Sequence, residues 1–244
     1  MDFITVYILI VIFIATLVRS TFGFGEALVA VPLLALQIPI ETAVPLSVLI
    51  SIIIAALVLV QDRKRVHFNS AKWLIIFSAL GIPIGLLILI FGNEQLIKFG
   101  LGSLIILSSL YFLFSKSVFK LKTDNKTWLF ICGFLAGIFG GAYGLNGPPI
   151  VFYGNMRQWT PKDFRATLQA YFLPVGILGM VGYWYNDLWD WTVTYYLLIC
   201  IPVIIPAIYI GRYFNHQIKD GAFVSYVYIG LICVGAALIA QAFY

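Results

Sequence analysis

Arg19 and Glu26 stand on either side of Gly23 and Gly25 in the stretch RSTFGFGEALVAVP, which directly follows an apolar run from Phe3 to Val18. A guanidinium offers planar, forked N–H donors that suit the oxygens of an oxoanion. A carboxylate enclosed in a dry cavity can take up and release a proton. Glycines interrupt a helix and leave backbone N–H groups free, and a helix starting at such a break turns its positive end to the gap. A second stretch, GGAYGLNGPP at 140–149, brings Tyr143, Gly144, Asn146 and Gly147. These residue types suit the binding of a small anion.

The candidate binding residues are Arg19, Ser20, Thr21, Gly23, Gly25 and Glu26 in the first stretch, and Tyr143, Gly144, Asn146 and Gly147 in the second. Ser47, Thr167 and Gln169 join them from the helices that follow. Glu26 is also the proton-coupling candidate. Several have a competing structural role. Arg19 can snorkel at a helix end or simply pair with Glu26, and Glu26 can cap a helix starting at Ala27. Asn146 can satisfy its own turn, and hydroxyls on membrane helices often bond a neighbouring helix. Cys132, Cys200 and Cys233 sit singly in apolar runs, and His67 and His216 fall in charged loops. None has metal-ligand or nucleophile spacing, so neither an enzyme nor a metal or cofactor is expected.

The elements that must hold these residues lie in a membrane. The 244 residues are 62% hydrophobic and 10% charged, with a mean hydropathy of +1.01; soluble domains carry about 25% charged residues. Ten apolar stretches cover 3–18, 27–40, 42–61, 72–91, 96–114, 127–139, 148–156, 163–184, 190–210 and 222–243. The six tryptophans fall at or near their ends, as interfacial indoles do. The N-terminal run lacks the basic leader and small-residue cleavage site of a signal peptide and is expected to stay as structure. The net charge of +5 is spread over short loops and points to no nucleic acid.

Thirteen of the fifteen lysines and arginines fall into four groups: Arg63, Lys64, Arg65 and Lys72; Lys116, Lys120, Lys122 and Lys126; Arg157, Lys162 and Arg165; Arg212 and Lys219. Basic loops stay cytoplasmic. All four groups share one side only if 127–139 and 148–156 form a hairpin that leaves the cytoplasm and returns to it. A single helix through 127–156 would also have to cross the glycines and the double proline of 140–149. The hairpin reading places both termini on the non-cytoplasmic side of the plasma membrane.

The same reading exposes a duplication. GFGEALVAVP (23–32), TAVPLS (42–47) and GIPIG (81–85) are answered by GGAYGLNGPP (140–149), KDFRAT (162–167) and AIYIG (207–211). Gly23 aligns with Gly140, Pro32 with Pro149, Ser47 with Thr167 and Gly85 with Gly211. Each half, 1–118 and 119–244, is a broken-helix hairpin (3–40 or 127–156) followed by three crossings. Three is odd, so the halves enter the membrane from opposite sides. The expected fold is an all-α polytopic membrane protein of two inverted repeats with about eight helical spans, an architecture of secondary transporters.

In length, span count and duplication the chain resembles the sulfite exporter TauE/SafE family, also called the toluene-sulfonate uptake permease family. The motif that carries the resemblance is a glycine cluster ahead of a proline in each half. Here these are Gly23, Gly25 and Pro32, then Gly140, Gly141, Gly144 and Pro149, with a small hydroxyl in the next helix, Ser47 or Thr167. The glycine triplet is interrupted by Phe24 and Glu26, and by Ala142 and Tyr143. The resemblance implies a carrier of sulfite, sulfoacetate or a related sulfur-containing anion, working by alternating access. The partners expected are that anion, the lipid bilayer and protons, with a homodimer compatible with the chain. The competing reading is an anion channel, or a permease for a small anion without sulfur.

Overall fold

The computed structural model describes residues 2–62, 65–114, 120–217 and 222–243. Arg63, Lys64, Lys116 and Lys219 of the basic groups, and the expected boundary at 118–119, lie outside them. The described residues form ten helices: α1 (Phe3–Phe22), α2 (Glu26–Leu34), α3 (Ile40–Asp62), α4 (Phe68–Phe91), α5 (Glu94–Phe114), α6 (Lys126–Tyr143), α7 (Gly147–Met156), α8 (Pro161–Tyr185), α9 (Trp191–Gln217) and α10 (Ala222–Phe243). Helix is the one element that bonds its whole backbone internally, as a lipid environment requires.

Seven helices, α1, α3, α4, α5, α6, α8 and α9, are long and apolar enough to cross a membrane, and Tyr228–Phe243 adds a shorter apolar segment. This is a multi-pass membrane protein. Apolar side chains such as Ile10, Leu107 and Val181 face outward, while Arg19, Glu26, Ser47 and Gln169 are buried. That polarity is inverted relative to a protein that folds in water, because the surrounding solvent is lipid. At 1.5 Å per residue, α2 and α7, with 9 and 10 residues, reach about 14–15 Å, roughly half a bilayer core.

In the two hairpins, three boundaries differ from the sequence reading by more than one residue. The first helix runs past Val18 to Phe22, because Arg19 and Thr21 find partners on other helices, Gln169 and the Gly211 carbonyl. The second stops at Leu34, with a turn before α3. The sixth runs through Gly140 and Gly141 to Tyr143, so those glycines belong to a helix and not to the break. Glycine weakens a helix by about 1 kcal/mol, but it lets neighbouring backbones approach closely. A side chain at Gly85 of α4 would collide with the Ile138 carbonyl and the Gly141 backbone of α6.

The packing pairs fall into a matched set. Helix α1 packs on α9 as α6 packs on α4, α3 on α9 as α8 on α4, and α1 on α2 as α6 on α7. Helices α3 and α8 pack on each other, and so do α5 and α10. The match extends to atoms. Where Gly85 meets Ile138 and Gly141, Gly211 of α9 meets Leu17 and Ser20 of α1. Both α1 residues lie 121 positions before their α6 counterparts.

The glycines ending the two helices are Gly23 and Gly144, also 121 apart, so Gly23 corresponds to Gly144 and not to Gly140. At the same offset Ser47 corresponds to Leu168, one residue beyond Thr167. Low identity hid these shifts; helix ends and contacts fix them.

Candidate functional site

The first break is made by two left-handed glycines. Gly23 closes α1 at φ +86° and Gly25 precedes α2 at φ +95°, a region where L side chains are strained. The Gly23 N–H donates to the Arg19 carbonyl at 2.6 Å. The chain turns there and starts α2 with Glu26 in its first turn. Gly144 closes α6 in the same way at φ +68°, and α7 begins at Gly147.

Each break is packed by the third helix of the other half. Val44 and Val48 of α3 lie against Gly144, and the stem of Arg165 on α8 lies against Gly23. Gln169, one turn after Arg165, donates from Nε2 to the Gly23 carbonyl at 2.8 Å. Val44 and Arg165 are 121 positions apart, as are Val48 and Gln169. Thus Arg165, read from sequence as a topology determinant, also covers the first break.

Arg19 and Glu26 are 3% and 1% exposed, and they meet inside the bundle. Arg19 Nη1 lies 3.4 Å from Glu26 Oε2, longer than the 2.7–2.9 Å of a tight charge-assisted bond. The shorter bonds run elsewhere. Ser47 Oγ donates to Glu26 Oε1 at 2.7 Å, and Arg19 Nη2 donates to Gln169 Oε1 at 2.7 Å. Arg19 Nη1 also donates to Ser51 Oγ, and the Phe172 ring centroid lies 4.9 Å from its Cζ, within reach of a cation–π attraction. Arg19 Nε has no hydrogen-bond partner among the described residues. The guanidinium is held in place with a donor to spare.

A cavity of about 20 Å³ adjoins this pair, lined by Arg19, Gly25, Glu26 and Ser51 on one side and Gly144, Asn146, Gly147 and Phe172 on the other. It is just above the roughly 10–15 Å³ that admits one water. The two breaks therefore meet at one small polar cavity. Their backbone contributions differ. Val29 N–H is the first in α2 to find a carbonyl at the helix start, that of Gly25 at 3.2 Å. The N–H groups of Glu26, Ala27 and Leu28 precede it and have no helical acceptor. Helix α7 starts with Pro148 and Pro149 in its first turn, which have no N–H to give.

Of the residues selected from sequence, Arg19, Gly25, Glu26, Gly144, Asn146 and Gly147 line the cavity, while Gly23, Ser47 and Gln169 support it through hydrogen bonds. The others lie elsewhere. Thr21 Oγ1 donates to the Leu17 carbonyl at 2.8 Å and lies 3.3 Å from the Gly211 carbonyl, and Ser20 packs on Gly211, so both belong to the α1–α9 contact. The Tyr143 hydroxyl lies against Gly100 of α5. Thr167 Oγ1 accepts from the His67 N–H at 3.0 Å. Sequence reasoning missed Ser51 and Phe172. Their signal was spacing: Ser51 follows Ser47 by one helical turn, and Phe172 follows Gln169 by three residues, so each shares a face with a selected residue.

Apolar helices around two helix breaks, with a buried Arg19–Glu26 pair between them, make this a polytopic membrane protein with a polar interior site. The family model described as "Sulfite exporter TauE/SafE" matches residues 8–238, and the chain belongs to that family. It is similar to the probable sulfite/organosulfonate exporter TauE of Cupriavidus necator, with 22% identity over 225 residues, 91% of this chain and 87% of that protein. No solved structure matches the chain.

Proposed function

We propose that the chain is a secondary carrier of a small sulfur-containing anion, of the sulfite or organosulfonate type. The anion binds between the two breaks, near the middle of the plasma membrane, and meets each side in turn. The observation that carries this reading is Arg19: a buried guanidinium with a long ion pair and a free Nε, beside a cavity that both breaks line. The spare N–H groups at the start of α2 add donors of the same sign. The name of the Cupriavidus relative supports sulfur as the central atom.

Charge balance supports a role for Glu26. The Arg19–Glu26 pair is neutral together, so a bound monoanion leaves the buried site at −1, which is costly at low dielectric. A proton on Glu26 restores neutrality and frees Arg19 for the anion. One proton then moves with each anion. Ser47 can hold the protonated carboxyl as well as the carboxylate.

A cavity sized for water does not admit a four-atom anion, so binding requires the breaks to part. The matched packing of α1–α5 and α6–α10 supports two inverted repeats that exchange conformations to expose the site to either side. The basic groups support cytoplasmic ends for the second hairpin and outer termini; cysteine labelling of Asp2 and Phe243 variants from outside intact cells tests that orientation.

The deciding experiment is flux into proteoliposomes. Sulfite uptake is expected to saturate, to show counterflow exchange, and to fall at least tenfold in Arg19→Gln. Unsaturable flux makes the protein a channel. Full activity in Arg19→Gln removes the site.

A further inference from the structure

We infer that an apolar cavity beside the charged one receives a short uncharged hydrocarbon substituent of the bound anion. The carrier then favours small alkyl-substituted sulfur anions over bare inorganic ones and over those with a second charge. The inference rests on the anion site proposed above.

The cavity measures about 50 Å³ and lies between the end of α1, the start of α2 and α10, against Val18, Phe22, Phe24, Val29, Tyr228 and Leu231. Gly25 and Leu28 line it too, and both also line the charged cavity. Two voids therefore adjoin across the first turn of α2, whereas packed interiors hold few spaces larger than a water. The partition at Gly25 is backbone alone. A Cβ there would meet only Val18 Cγ1, at 3.5 Å.

An oxoanion head held by Arg19 and the start of α2 places its substituent next to this partition. Apolar walls reward each buried methylene by about fourfold in affinity. A carboxylate or ammonium in the same place loses its water with no opposite charge in return, since no charged side chain lines the cavity among the described residues. At about 50 Å³ the space is well below the roughly 150 Å³ that takes a benzene ring. It fits a chain of a few carbons and excludes an arene.

The test is calorimetric binding to the purified full chain of sulfite, methanesulfonate, propane-1-sulfonate and ethane-1,2-disulfonate. Affinity is expected to rise about 15-fold from methanesulfonate to propane-1-sulfonate, with the disulfonate weakest. Leu231→Phe, which fills the space from α10, is expected to flatten the series and leave sulfite binding intact. Val29→Leu does the same from α2 and guards against a fold defect in the first variant. Sulfite binding with a flat wild-type series overturns the apolar subsite alone, as does a slope that survives both filling variants. Failure of every anion, sulfite included, overturns the anion site and this inference with it.

Discussion

Ser51 and Phe172 lie 121 positions apart, on α3 and α8, and both touch the guanidinium of Arg19: Ser51 Oγ accepts from its Nη1, and the Phe172 ring lies 4.9 Å from its Cζ. They occupy corresponding places in the two halves, as do Glu26 and Gly147, and Gly25 and Asn146. All six line one cavity. The backbone correspondence is retained there while the chemistry is divided. The first half supplies charge and hydroxyls, and the second supplies a ring, an amide and space.

Arg19→Lys keeps a positive charge but loses the planar fork. With hydrogen bonds to charged groups worth about 1.5–3 kcal/mol, anion affinity is expected to fall roughly 10- to 100-fold. Equilibrium binding of sulfite to wild type and Arg19→Lys checks it. Equal affinities would mean that charge alone, not geometry, holds the anion.

Glu26→Gln keeps the shape and the hydrogen bond from Ser47 while removing the exchangeable proton. Transport by wild type is expected to rise as the outer pH falls. In Glu26→Gln, exchange of methanesulfonate, which stays a monoanion throughout, should persist with a flat pH profile. Proteoliposome flux between pH 5 and 8 distinguishes the two, and an unchanged pH profile in the variant would end the case for coupling through Glu26.

Asp124 ties three elements together. It accepts from Asn69 and Ser70 of α4 and from Tyr153 and Arg157 at the end of α7, at 2.8–3.0 Å. Desolvation pushes its pKa upward. The bonds from Asn69, Tyr153 and Ser70, with the Arg157 charge, outweigh that and hold it below the ordinary 3.8. A depressed carboxylate pKa contributes stability that is present above the unfolded value and lost as pH falls through the folded one. Asp124→Asn is therefore expected to cost about 1–3 kcal/mol at pH 7, seen as a lower Tm in detergent. The gap should narrow as pH falls below the ordinary 3.8 and close once the pH has passed the lower folded-state value, and a gap constant with pH would contradict the ionic account.

The close crossings α4–α6 and α1–α9 depend on absent side chains. A Cβ at Gly85 would collide with the Ile138 carbonyl, and one at Gly211 would come within 2.6 Å of Ser20 Cβ, whereas Gly230 of α10 has nothing within 4 Å. Gly85→Ala and Gly211→Ala are expected to cost about 1–3 kcal/mol each. Gly230→Ala should be neutral or gain up to about 1 kcal/mol. Thermal melts of the three variants give the comparison, and equal melting temperatures would refute these packing assignments.

How much of this was legible in the sequence differs by residue. Arg19 and Glu26 were conspicuous because charge is expensive inside an apolar run. Gly25, Gly144, Asn146 and Gly147 were conspicuous because glycine and asparagine break helices. Tyr143 and Thr167 looked alike by type but point to α5 and to His67, since a helix face is set by packing and not by chain proximity. Ser51 and Phe172 looked ordinary, one a lone hydroxyl in an apolar helix and the other one aromatic among many.

The sequence by itself determined the solvent and the secondary structure. A chain so poor in charge cannot cover itself in water, and in lipid its backbone must bond within helices, interrupted where glycine and proline forbid continuation. Tertiary structure alone decided that α3 of one half closes the break of the other, that Gly23 corresponds to Gly144, and which side chains face Arg19. Those relations join residues up to 150 positions apart, as for Arg19 and Gln169, and they depend on helix rotation and depth, which local periodicity leaves open.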